Sequence, residues 1–429
     1  MYKKDIPILS AVVALVYLSF VLNISSLLVI PLLLLIIRVF IHEIEMNIYL
    51  ILFLLPNLRM FDSLGESYGV NIIIVLCLFK FIFIELRKIK TDVWLFAFIF
   101  IIIEFSHYFI THNQLILLNV ISWISAFILA SSCLIDETIK INKVPSFWYL
   151  ALGTLFSAAA VFTSDSIFYT LRYIELDLRL IGLAGDPNIL SLYILILIFS
   201  AVNLQKDSQF KWLYYFMFFI LTLFGFATLS KMFTLTFFLV SIILVLYSVL
   251  YPKIETRKQQ KFIMGVVGIA VIVIIFMYPF LENVFQGIFN RFFIDDFSQL
   301  SLENLDNLSS GRSSLVNFYL NQLTHNVVLL LFGYGHFYHV EFGLQLAHNT
   351  YLDIVLTWGV LGSTVFGTLL YLIYQEFRRI TVKAKYLFAY FPMIAMLVAF
   401  VSLSIFEADM FFFVLFYVLI QTTKDEIIK

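Results

Sequence analysis

The chain has 429 residues, 62% of them hydrophobic and 13% charged, with a net charge of −1 and a mean hydropathy of +0.99. That balance excludes a soluble globular domain, gives no footing for a nucleic-acid partner, and describes a polytopic membrane protein. Cys77 and Cys133 both fall in apolar segments, so no disulfide framework is implied.

The amino terminus, "MYKKDIPILSAVVALVYLSFVLN", opens like a signal peptide. No small-residue cleavage site follows and a second apolar run starts at once, so it reads as an uncleaved first span. A crossing helix needs about 20 mostly apolar residues. Fourteen candidates meet that need, roughly 6–22, 25–41, 46–61, 69–85, 92–110, 114–134, 146–162, 188–204, 212–229, 232–251, 262–280, 350–374, 386–405 and 409–422. Pro56 and Arg59 interrupt the third, and "ATLSKM" is the one plausible hairpin within 212–251. The expected fold is an all-α integral membrane protein, one transmembrane domain over 1–429 with about 14 helices and one large outer loop containing short helices.

Orientation follows from the positions of Lys and Arg. With both termini cytoplasmic, 20 of the 27 basic residues lie on inner segments, among them "LRKIK", "PKIETRKQQK" and "EFRRITVKAK". Lys80 lies in a span near its inner end. Only Arg59, Arg172, Arg179, Lys231, Arg291 and Arg312 fall outside. Two outer segments are long, 163–187 and 281–349, and the inner loops are too short for a catalytic domain. Chemistry, if the chain performs any, belongs to the outer face of a cytoplasmic membrane.

Three cations mark helix starts or tips on that face. Asp186 in "RLIGLAGDPNILSLY" suits an N-cap and Pro187 the first turn, with Arg179 just above. Lys231 occupies the "ATLSKM" tip. Arg312 falls in the first turn of a short helix in "NLSSGRSSLVNFYLNQL". A cation there is unfavourable to the helix dipole, and becomes useful when an anion binds the free N–H groups and the guanidinium together. Each alone reads equally as an interfacial or solvated side chain; the three together point to an anionic ligand such as phosphate.

His348 precedes Asn349 and Thr350, either of which can cap the span "YLDIVLTWGVLG". A helix N-terminus disfavours imidazolium, and neutral imidazole can act as a general base. The bland alternative is a histidine packed at the lipid interface. A zinc site from His336, His339 and His348 with Glu341 or His325 has spacing that matches no familiar set. "FGYGH" (332–336) has the glycines of a potassium-filter core without the preceding Thr-Val. Glu104 and His107, at i and i+3 in one span, read equally as a proton relay or as a satisfied polar pair facing the bundle.

The order "R…G…DPN" above one span, Ser-Lys at a later hairpin, then "GR", "FGYG" and "HNTYLDIVLTWGVLG" resembles the O-antigen polymerase and ligase superfamily, which includes the Wzy-type polymerases of surface polysaccharides. The resemblance covers roughly 175–375. One departure is Ser230-Lys231, where the family often has Ser-Arg; lysine keeps the charge but loses the two-pronged fork. The resemblance implies a metal-independent, inverting glycosyltransferase without cofactor. Its donor and acceptor would be undecaprenyl-diphosphate-linked oligosaccharides, held beside the lipid bilayer, with a chain-length regulator and a flippase as partners. Carried over, Arg179, Lys231 and Arg312 would hold the diphosphate and His348 would activate the acceptor hydroxyl. Gly311, Asp186, Asn188, Asn349 and Tyr351 would support them, and the apolar spans would form a cleft for the polyprenyl chain.

Two rivals stay open. A ligase of the same superfamily would use the same residues on another acceptor. A flippase or secondary transporter would show internal repeats and helices broken near the midplane, and the sequence displays neither.

Overall fold

The computed structural model of the chain describes residues 5–64, 68–87, 89–112, 114–163, 179–205, 209–250, 312–341, 346–383, 387–406, 408 and 410–427. Gly311, most of the 163–187 and 281–349 loops, and the expected span 262–280 lie outside or partly outside the described residues.

The first part of the chain forms ten helices, α1 (Ile6–Leu22), α2 (Val29–Ile41), α3 (Ile44–Leu54), α4 (Tyr68–Phe79), α5 (Thr91–Thr111), α6 (Gln114–Ile135), α7 (Lys143–Ala159), α8 (Pro187–Leu204), α9 (Lys211–Ala227) and α10 (Lys231–Leu250). After residue 311 come α11 (Arg312–His325), α12 (Val327–Phe332), α13 (Tyr338–Glu341), α14 (Thr350–Ile380), α15 (Phe391–Ala399) and α16 (Phe411–Gln421). Among the described residues, five helical stretches are long and apolar enough to cross a membrane: Ile44–Asp62, Thr91–Phe109, Lys143–Phe162, Pro187–Leu204 and Thr350–Ile380. Eight shorter apolar helices fall where other spans are expected. The helical architecture is compatible with a membrane protein. Among the described residues it departs from all-α where Thr381–Lys383 pairs antiparallel with Thr423–Ile427.

Local irregularities have local causes. At Pro56, α3 passes into a tighter 3₁₀ stretch, Leu55–Leu64, with Asn57 out of helical geometry. The "ATLSKM" turn closes between α9 and α10, where the Thr228 hydroxyl bonds the Gly225 carbonyl at 2.6 Å and Leu229 takes a φ of 49°.

Burying a charge is costly unless it is paired. Arg38 and Asp5 are both 0% exposed. The guanidinium of Arg38 meets the Asp5 carboxylate through Nε at 3.0 Å and Nη2 at 2.7 Å, and Nη2 also reaches the Met46 carbonyl at 3.0 Å. The Tyr149 hydroxyl donates to the same carboxylate. This clasp ties the start of α1 to α2, α3 and α7.

Helix directions follow from ring contacts. Phe199, late in α8, meets Phe391 at the start of α15, with centroids 6.3 Å apart. Tyr247, late in α10, meets Phe388 just before it, at 5.4 Å. The starts of α8 and α10 therefore lie at the end of the bundle where α15 finishes. The start of α14 is there too, since the Thr350 N–H donates to the Phe400 carbonyl at 2.9 Å.

Candidate functional site

Two groups of side chains gather at that end. The first is built on the α9–α10 turn and the start of α8. Asp186 caps α8, its Oδ1 accepting from the N–H groups of Asn188 at 2.7 Å and Ile189 at 3.2 Å. The Asn188 side-chain oxygen accepts from the Ser230 hydroxyl at 2.7 Å, and the Ser191 and Thr228 hydroxyls lie 2.8 Å apart. These bonds fix the turn against α8. Arg179 anchors to it, Nε donating to the Thr228 carbonyl at 3.1 Å, while Lys231 opens α10.

The second group is organised by the segment after α15. Arg312 opens α11 and its Nη1 donates to the Ser402 carbonyl at 2.9 Å. Asn349 caps α14, accepting from the Leu352 N–H at 3.0 Å, and its own N–H donates to the Ser404 hydroxyl at 3.1 Å. The Thr350 hydroxyl donates to the Leu403 carbonyl. Tyr351 donates to the Leu397 carbonyl at 2.8 Å. His348 stands just before the cap with a φ of 53°. Residues 397–404 thus place Arg312, His348, Asn349 and Tyr351 on a common backbone. The sequence-predicted Arg179, Asp186, Asn188, Lys231, Arg312, His348, Asn349 and Tyr351 all reach this one end, and Gly311 is outside the described residues.

One cation at this end escapes a sequence reading of the site. Arg59 crosses to residue 185, where a Cβ would sit 2.8 Å from its Cζ and overlap Nε, with φ at +77°. Only glycine lets that guanidinium pass beside the Asp186 cap. Its Nε stands 3.7 Å from Oδ2 of Asp62.

The larger surprise lies deeper. The segment Gly333–His336 runs as an irregular strap against α14, where Gly359 has φ 62° and ψ −173° and interrupts the helix, so a broken helix that the sequence did not display is present in one candidate span. The break frees carbonyls, and the strap uses them: Tyr334 N–H donates to Leu356 O and Gly335 N–H to Thr357 O, both at 2.7 Å. Irregular backbone in a bundle is tolerated where it is buried in protein, and Gly333, Tyr334, Gly335 and His336 all are.

The strap is pinned by a buried acid. Glu104 in α5, 2% exposed, accepts from Nδ1 of His336 at 2.6 Å, from the His336 N–H at 3.4 Å, and from the Trp358 indole. One turn on, Nε2 of His107 lies 3.0 Å from the Phe332 carbonyl, which can only accept, so that nitrogen carries the proton. Glu104 and His107 therefore both face the bundle, Glu104 bonded to His336 and Trp358 and His107 to the Phe332 carbonyl, while Nδ1 of His107 is buried without a hydrogen bond. His336 is committed to Glu104. Among the described residues no group of three or more His, Cys, Asp or Glu is placed to hold a metal ion.

An apolar cavity of about 160 Å³ opens between α6, α14, α15 and α16, lined by Leu134, Leu370, Tyr374, Met396 and Leu415 among others. Tyr374 and Leu134 lie late in their helices, away from the cations.

No family model, no curated protein and no solved structure matches the chain.

Proposed function

We propose that the chain is a polysaccharide polymerase that joins undecaprenyl-diphosphate-linked repeat units on the outer face of the bacterial cytoplasmic membrane. The supporting observation is the gathering of Arg179, Lys231, Arg312 and His348 at one end of the bundle, on the starts of α8, α10, α11 and α14 or just above them. Cations gathered at helix starts suit a diphosphate, whose charge grows as the sugar leaves it. In the proposed step the acceptor hydroxyl gives its proton to His348 and its oxygen bonds the anomeric carbon. The bond to the diphosphate breaks on the opposite ring face, which inverts that carbon, and the electron pair leaves with the diphosphate.

This reading places the cation-bearing end outside, both termini in the cytoplasm and 281–349 as the catalytic loop, with fourteen spans including 262–280. A reporter at residue 300 then labels outside and one at 381 inside.

The deciding experiment expresses variants in a strain lacking the native protein. Arg312→Lys keeps the charge but loses two-point contact with the diphosphate. His348→Ala removes the base, typically a loss of about 10²–10⁴-fold. Both are expected to abolish the ladder of long glycan chains while single-unit material remains. Long chains persisting on undecaprenyl diphosphate move the assignment to a ligase. Normal polymer from both variants refutes the site.

A further inference from the structure

His348 holds its backbone in the left-handed region that side-chain-bearing residues seldom occupy. Such a conformation persists only where its surroundings over-determine it. On the downstream side, the bonds of Asn349 to Ser404 and of Thr350 to Phe400 do this. On the upstream side a buried phenol contributes. The Ala347 N–H donates to the Tyr338 hydroxyl oxygen at 3.2 Å, and that hydroxyl donates to Asp353 Oδ1 at 2.5 Å. Ala347 and Asp353 are 0% exposed and Tyr338 is 1% exposed.

The bond directions are forced. A backbone N–H can only donate, so the phenol oxygen accepts it, and the single phenol proton goes to the carboxylate. The Tyr338 ring also meets Tyr319 edge-on, centroids 5.2 Å apart and planes at 88°. Tyr319 lies about two turns along α11 from Arg312. One side chain thus touches the helix that starts with Arg312, the peptide that presents His348, and the first turn of α14.

We infer that Tyr338 and Asp353 are positioning residues for the proposed transfer: Asp353 orients the Tyr338 hydroxyl, and Tyr338 sets the peptide before His348 and the spacing of His348 from Arg312. This rests on reading His348 as the base and Arg312 as a diphosphate ligand. Both positioning residues are buried and act through those two. Loss of the hydroxyl leaves a buried N–H and a buried carboxylate without each other's bridge, and the His348 backbone shifts to repair it. A displacement of about 1 Å lowers turnover roughly 10²-fold. Diphosphate affinity, set by charges that stay in place, changes little.

Two readouts test this. The first needs no activity: the thiol of a His348→Cys variant is labelled with a maleimide in purified full-length protein, where Cys77 and Cys133 are buried. Adding Tyr338→Phe or Asp353→Ala is expected to change the labelling rate several-fold. Asp353→Asn keeps an acceptor oxygen for the phenol and is expected to leave the rate unchanged. The second readout, with His348 present, is turnover of undecaprenyl-diphosphate-linked repeat units extracted from a strain lacking the protein. Tyr338→Phe and Asp353→Ala should each lower kcat about 10²-fold with KM changed by less than about twofold. The double variant should be no worse than either alone, because the two act as one unit, and Asp353→Asn should retain most activity. If Asp353→Ala fails to accumulate, the nearly isosteric Tyr338→Phe and Asp353→Asn carry the test. An unchanged labelling rate in Tyr338→Phe overturns the inference, as does full turnover by Tyr338→Phe where His348→Ala is inactive. Full turnover by His348→Ala instead removes the proposed reaction, and the labelling rate then still decides whether the phenol holds this backbone.

Discussion

Replacing Gly359 by alanine should loosen the strap from α14, and the cost can be worked from the geometry. At φ 62° and ψ −173° the residue occupies a region open essentially to glycine alone, where any other residue costs about 1–3 kcal/mol. A Cβ there would overlap the Leu331 carbonyl and stand 2.5 Å from the Phe332 nitrogen, so backbone rather than a pliant side chain must move. The approach is mutual, since a Cβ on Gly333 would lie 2.5 Å from the Gly359 nitrogen. Moving the strap gives up the Tyr334–Leu356 and Gly335–Thr357 bonds, each about 0.5–1.5 kcal/mol. The whole effect is about 2–6 kcal/mol. Gly367, on the same helix with nothing within 4 Å of an added Cβ, is the internal control. Gly367→Ala should be neutral or stabilising by about 0.5–1 kcal/mol. Purified variants would be heated in detergent and the surviving monodisperse fraction read by size exclusion. Gly359→Ala melting with the parent protein, or Gly367→Ala falling as far, would refute the account of the strap.

Three further outcomes follow from buried polar groups. Glu104→Ala strands the N–H groups of His336 and Trp358 and should destabilise by about 1–3 kcal/mol, with Glu104→Gln milder because one acceptor oxygen remains; equal melting of the two variants would count against the pin. Asp5→Ala leaves the Arg38 guanidinium buried without its carboxylate, a loss of about 3–5 kcal/mol readable in the same melts, and a normal melt would contradict the clasp. Partial burial pushes the His339 imidazole below its ordinary range, so folding favours the neutral form. Its contribution is then complete above the unfolded pKa of about 6.5 and is lost as pH falls below it. His339→Gln should flatten that acid-side decline in thermal stability.

Features legible in the sequence are those decided within a few residues. Asp186-Pro187-Asn188 announces a capped helix because the carboxylate needs only the N–H groups two and three positions on. The α9–α10 turn lies inside "ATLSKM" because Thr228 and Ser230 bond their immediate neighbours and α8. Asn349 is equally local. The strap was not legible, because its meaning depends on partners far along the chain: Glu104 and His336 are 232 residues apart, and no period or spacing connects them. "FGYGH" shows glycines without showing that a broken helix awaits them. Arg38 sits in an apolar run whose hydropathy hides the charge, and its carboxylate lies at the far end of another helix. The Tyr338–Asp353 bridge spans 15 residues, too far for helical periodicity and too near for a separate element.

The strap also gives the molecule an optical gauge. Of its five tryptophans, Trp123 and Trp358 stand edge-on to one another at 5.3 Å, and the His336 ring lies 5.1 Å from the first and 5.7 Å from the second. Trp94 and Trp212 are exposed on the outside of the bundle. With Trp94, Trp148 and Trp212 exchanged for phenylalanine and excitation beyond the absorption of the 23 tyrosines, the remaining emission would come from the two indoles that border the strap. Its intensity and colour would report, without any attached dye, when His336 leaves Glu104.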